Sequence, residues 1–237
     1  MRLHVLTVAA AFALPALAVA QKPAAQQLFD RHAEAVGGRA ANKAVTSRVE
    51  SGTADITFAG ISGAYTRTVR DGAWKLSIDI PMFGKIERGS DGTTAWADDP
   101  QQGARKETGI AACEANRSAS PTLLEAGSYQ SAEVLDEAMF EGKAAWPVKI
   151  TSSCGSVTTA FFDKATGIRI GQRVTAPDGS ESRIAYDDYK PFGAIKVATK
   201  ITQGTPNGDL IITLSSVTLD PVPAEAVALP ASIKALP

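Results

Sequence analysis

From Val45 to the C-terminus, apolar and polar residues alternate in short runs. Trp74, Leu76, Ile78 and Ile80 alternate with Lys75, Ser77 and Asp79. Val148 and Ile150 alternate with Lys149 and Thr151, Ile168, Ile170 and Val174 with Arg169 and Arg173, and Ile195, Val197 and Ile201 with Lys196 and Lys200. A period of two predicts strands with one dry and one wet face. Leu210, Ile212 and Leu214 share one parity and Val217 and Leu219 take the other, which predicts a bulge near Ser215-Ser216. Turn signals separate the runs: Asp71-Gly72, Asp91-Gly92, Asp163 to Gly167, Pro177 to Ser180 and Asn207-Gly208. Strands joined by such turns form an antiparallel meander.

Two segments break the pattern. In residues 23–36, Ala25, Leu28, Phe29, His32 and Val36 fall on one helical stripe, Pro23 suits a first helical position, and Gly37-Gly38 supplies a stop. Glu107 to Tyr129 has no period of two and carries Leu123 and Leu124, so it predicts one or two short helices split near Pro121 that cross between two groups of strands. The proline-rich tail after Leu219 is expected along the surface. A sheet with one apolar face must bury it, and a sheet of roughly ten strands tends to curl. The expected fold is therefore mainly β (α+β): a strongly curved antiparallel sheet, or half-open β-barrel, whose concave apolar face is covered by the N-terminal and middle helices.

The first twenty residues change the compartment. Arg2, the apolar run Leu6 to Leu17 and the small residues Ala18-Val19-Ala20 form a secretory signal pattern. The run is shorter than the roughly 20 residues a spanning helix needs. Residues 21–237 are expected as one exported domain, in the periplasm, without a lipid anchor, since no cysteine follows the cleavage site. The chain has 24 Lys and Arg against 25 Asp and Glu and no basic run, which argues against nucleic acid as a partner. An even cysteine count in an exported chain allows Cys113 and Cys154 to pair, with two buried thiols as the alternative.

Catalytic chemistry is hard to find. Asp91, Asp98 and Asp99 surround Trp96, but they stand in turn sequences, where Asp is favoured because its carboxylate accepts nearby backbone N–H groups. His4 belongs to the leader, so a Ser–His–Asp triad would depend on His32, on the apolar side of the first helix. No phosphate loop, nucleotide fingerprint or metal-ligand spacing occurs, and no cofactor is expected.

Four segments together resemble bacterial periplasmic proteins of the outer-membrane lipoprotein carrier (Lol-type) fold: "LFDRHAEAVGGRAANKAVTSRVESGT", "ERGSDGTTAWADDPQQG", "FFDKATGIRIGQRV" and "YDDYKPFGAIKVATKI". They occur in the family's order and span residues 25 to about 220. The chain departs from the family at Ala198, where proline is usual, and in the segment around Cys113. The resemblance implies a half-open barrel plugged by helices, with an apolar cavity for acyl chains or lipoprotein. The residues expected to line it are Trp74, Leu76, Ile78, Trp96, Val148, Ile150, Ile170, Val174, Ile195 and Val197. They could instead be a packed core. The function expected is non-catalytic binding of a hydrophobic ligand. An interaction module of the cell envelope, serving a protein partner without a small ligand, is the alternative.

Overall fold

A computed structural model of the chain describes residues 22–119, 127–175, 180–205 and 208–237. The expected signal segment (residues 1–20), the expected helical residues Pro121, Leu123 and Leu124, and Pro177 and Asn207 of the expected turns lie outside the described residues. Helix α1 (Ala25–Ala35) and a short α2 (Arg39–Ala44) precede β1 (Ser47–Ile56), β2 (Ile61–Arg70), β3 (Ala73–Ile80), β4 (Gly84–Ser90), β5 (Ala95–Asp98) and β6 (Arg105–Lys106). Helix α3 (Gly109–Arg117) follows. The second run is β7 (Tyr129–Val134), β8 (Ala138–Phe140), β9 (Lys143–Ser152), β10 (Val157–Asp163), β11 (Arg169–Thr175), β12 (Glu181–Phe192), β13 (Ile195–Thr205) and β14 (Gly208–Thr218). A 3-10 turn (Ala224–Val227) and α4 (Ala231–Lys234) end the chain.

All 14 strands join one sheet in the order β6-β5-β4-β3-β2-β1-β14-β13-β12-β11-β10-β9-β7, with β8 beside β9. The first meander thus runs outward to one edge. The chain crosses over through α3 and returns from the other edge until β14 pairs with β1. The expected parity switch is present: Ser51 faces Ser216 and Gly52 faces Leu214, so Ser215 is the extra residue. The β2–β3 turn places Asp71 (φ 47°) and Gly72 (φ 86°) in the left-handed region, the primed geometry that matches strand twist.

α3 ties the two runs of strands together. On one side the Trp74 indole N–H donates to Ala115 O at 2.7 Å, and Asn116 accepts from Ser90 Oγ at 2.6 Å. On the other, Cys113 is disulfide-bonded to Cys154 in the β9–β10 turn, and Glu114 accepts from the Ser152 and Ser156 hydroxyls. Of the two possibilities the sequence left for the cysteines, the structure shows the bond.

Candidate ligand-binding site: the inner face of the sheet

Opposed residues in a ladder share a face, so the register from β3 to β9 assigns each side chain to one of two faces. On the inner face, Ala54, Tyr65, Ile78, Ile80, Ile212 and Leu214 form one buried cluster, with Ile56, Ile61, Leu76, Ile86, Val197 and Ile201 half-buried around it. Farther along the same face, Val148, Ile150, Ala160 and Phe162 pack beneath Leu28 and Phe29 of α1. The apolar stripe of α1 thus covers this part of the sheet. A third cluster, Phe140, Ala145, Phe161, Ile170 and Ala185, lies on the outer face, where Phe140 of β8 stacks on Phe161.

Among the described residues, the inner face carries a larger and a smaller cavity. The larger, about 510 Å³, sits at the turn end of β1 to β4. Ile56, Ile61, Ile80 and Ile86 line it, Phe58 and Phe83 stand at its rim, and Arg88, Asp99 and Arg105 form its polar side. Phe58 and Phe83 are 59% and 60% exposed, and Met82 between the same strands is fully exposed. The smaller cavity, about 240 Å³, lies beneath α1 and α2 at the opposite end of β1, with Arg48, Arg67 and Arg169 in its walls beside Phe29, His32 and Ile195.

The ten residues read from the sequence as cavity lining are divided among these places. Leu76, Ile78 and Val197 belong to the first inner cluster, and Trp74 stands on the same face beneath α3. Val148 and Ile150 lie under α1, Ile195 borders the smaller cavity, and half-buried Val174 stands opposite Thr158 on the same face. Ile170 and Trp96 stand on the outer face. The reason for Ile170 is a bulge: Phe161 faces Gly171 while Phe162 faces Arg169, so Ile170 is the extra residue. This bulge turns Arg169, expected on the wet side, inward to the smaller cavity. Trp96 pairs with Gly89, out of phase with Ala95 and Ala97, and lies over that glycine between Asp98 and Lys106, both bonded by the C-terminal tail. Ile233 of that tail is fully buried, so the tail is part of the outer core rather than a loose surface strand.

The acidic residues of the β4–β6 turns are structural. Asp91 Oδ1 accepts from the N–H groups of Thr93 and Thr94 at 2.9 and 2.8 Å. Asp99 Oδ1 accepts from Gln101 and Gln102 N–H at 3.0 and 2.9 Å, and its Oδ2 meets Arg105 at 2.6 Å. The Arg105 guanidinium and these N–H groups hold the Asp99 carboxyl below the usual range. His32 accepts the Arg169 N–H at Nδ1, 3.1 Å away. Burial, then the positive charges of Arg169 and Arg39, push it down to about 4, so it is neutral near pH 7. Among the described residues, no three His, Cys, Asp or Glu side chains come together as a metal site, and no helix is long and apolar enough to cross a membrane.

The rim residues Phe58 and Phe83 fall in turns, outside any alternation. Their signal was two large aromatic residues at loop positions. Arg48 and Arg67 gave none, being charged residues on an otherwise dry face.

No family model matches the sequence, and no curated protein matches it. Solved structures do. A DUF1329 family protein from Desulfovibrio piger superposes with a TM-score of 0.56 at 14% identity, over 81% of this chain and 92% of that one. A LolA superfamily protein from Nitrosomonas europaea gives 0.56 at 13%, over 88% and 99%. A domain assigned to an outer membrane lipoprotein-sorting protein from Vibrio parahaemolyticus gives 0.54 at 11%, over 82% and 93%. The chain therefore has the curved-sheet fold that these LolA-type and lipoprotein-sorting proteins share.

Proposed function

We propose that this is a non-catalytic periplasmic protein, acting through one half-barrel domain of residues 21–237, that binds an acyl chain in the cavity walled by Ile56, Ile61, Ile80 and Ile86. The observation that carries the reading is the chemistry of that cavity. Its volume of about 510 Å³ falls within the roughly 300–1,000 Å³ of ordinary small-molecule sites, and apolar atoms make most of its wall. Burying a methylene contributes about 0.8 kcal/mol. A chain of ten would gain roughly 8 kcal/mol before the costs of ordering it, so no polar constellation is needed. The LolA-type fold supports the reading, as does the lipoprotein-sorting role named for the Vibrio domain. Titration with a fluorescent fatty acid tests it. Saturable binding at micromolar protein, abolished by Ile86→Trp, is expected; a linear, unsaturable signal contradicts it.

Docking of a protein partner is the second reading, favoured by exposed Phe58, Met82 and Phe83 around one opening. A partner recovered from envelope extracts by the wild type and lost with Phe58→Ser/Phe83→Ser, without any acyl binding, would favour it.

A further inference from the structure

The smaller cavity is built unlike the larger one. Three guanidiniums, Arg48, Arg67 and Arg169, enter its walls from β1, β2 and β11. One carboxylate, Glu50, answers two of them: it is 4% exposed, its Oε1 is 2.9 Å from Arg48 Nε, and its Oε2 is 3.8 Å from Arg67 Nη1. The Arg48 contact is an ion pair without hydrogen-bond alignment, because the buried Nε–H finds no acceptor. Arg169 donates from Nη2 to Gln172 and lies 5.4 Å from the Tyr186 ring, but its buried Nε–H also lacks an acceptor. Arg67 donates to Ser118 O at 3.3 Å and stacks 5.8 Å from the Trp74 ring. Arg39 and Lys43 also line the wall, and Arg39 is ion-paired with Asp30 at 2.6 Å.

Among the described residues, Arg48, Arg67 and Arg169 share one carboxylate, Glu50, around a recess of about 240 Å³. Buried charge without a partner is costly. Guanidiniums on several strands around one recess suit the tetrahedral or planar oxygens of phosphate and carboxylate. The depressed proton affinity of His32, caused by burial and then by Arg169 and Arg39, agrees with a positive interior.

We propose that this chamber binds an oxyanion, a phosphate or carboxylate group, held by Arg48, Arg67 and Arg169. The inference goes beyond acyl binding and stands without it. Arg48 and Ile56 lie at opposite ends of β1, about 26 Å apart at the usual strand rise, with the packed cluster of Ala54, Tyr65, Ile78 and Leu214 between the cavities. Two sources offer this chemistry: a free anion, or the headgroup of an amphiphile whose first methylenes would meet Phe29, Val36 and Ile195 on the same wall.

Calorimetric titration of the disulfide-intact protein separates these outcomes. The probes are inorganic phosphate, dodecyl phosphate and dodecyl maltoside, at constant ionic strength set with chloride. Saturable binding of phosphate or dodecyl phosphate is expected, with none or about tenfold weaker binding of the maltoside, and a loss of about tenfold or more in Arg169→Gln. Equal affinity for both phosphates identifies a free anion; tighter dodecyl phosphate identifies an amphiphile. Should Arg169→Gln fail to fold, Arg48→Gln and Arg169→Lys supply the comparison, with the neutral substitution weakening binding more than the charge-preserving one. Phosphates that bind no better than the maltoside overturn the proposal, as do neutral variants that bind like the wild type.

Discussion

His32 and Arg169, separated by 137 positions in the chain, meet where α1 covers the sheet: the Arg169 backbone N–H donates to His32 Nδ1 at 3.1 Å. The bond fixes the neutral tautomer with its proton on Nε2 and anchors the helix to the bulge in β11. Phe162 stands edge-on to the imidazole at 6.1 Å, so the ring is enclosed on its apolar side as well.

A pH dependence follows from this enclosure. In the folded chain His32 is pushed down from 6.5 to about 4 by burial, then by Arg169 and Arg39. The unfolded chain therefore binds more protons between these values. The stability contribution is fully present above pH 6.5 and is lost as pH falls toward 4, on the order of 3 kcal/mol across the window. Urea unfolding of the wild type and His32→Gln at several pH values should show the wild type losing stability more steeply between pH 6.5 and 4. Parallel curves contradict the assignment.

Gly37 joins α1 to the sheet at a point that admits no side chain. Its φ is 113°, and a Cβ would lie 2.1 Å from Ala194 O, where Lys196 N–H bonds Val36 O at 2.9 Å. Gly37→Ala should cost roughly 2–4 kcal/mol, from left-handed strain together with displaced backbone. Gly38→Ala meets no atom within 4 Å and bears only the φ penalty. A thermal melt of both variants checks the order, with Gly37→Ala the lower.

The disulfide closes a span of 41 residues between α3 and the β9–β10 turn. Cys113→Ser/Cys154→Ser should lower stability by about 4 kcal/mol if chain entropy dominates. Release of α3 would also free the indole of Trp74 from Ala115 O, so tryptophan emission should shift to the red in the folded variant. An unshifted spectrum would mean that the hydrogen bonds of Glu114 and Asn116 hold α3 in place alone.

Legibility in the sequence followed the regularity of the strands. The Ser215 bulge could be read because it leaves a parity change behind it, Leu214 before and Val217 after. The Ile170 bulge could not, because Ile168, Ile170 and Val174 keep one parity through it. That hidden residue moved Ile170 outward and Arg169 inward, and with Arg169 went the polar character of the smaller cavity. Trp96 was assigned to the wrong face for a related reason: β5 is four residues long, and all of Ala95, Trp96 and Ala97 are buried, so alternation marks neither face. The partner that buries the outer side is an aperiodic tail, whose Val222, Val227 and Ile233 follow no strand rule. The six-residue α2 was missed because its sequence, RAANKA, has no apolar stripe.

The proposed acyl site places hydrocarbon on the inner face at the turn end of β1 to β4. The most direct measurement is photo-crosslinking with a palmitate analogue bearing a terminal diazirine, followed by mass spectrometry of the labelled peptides. Adducts concentrated on Ile56–Ile61 and Ile80–Arg88, and competed away by unlabelled palmitate, are expected. Labels on the outer face around Trp96 and Phe140, or labelling that palmitate does not reduce, would contradict it.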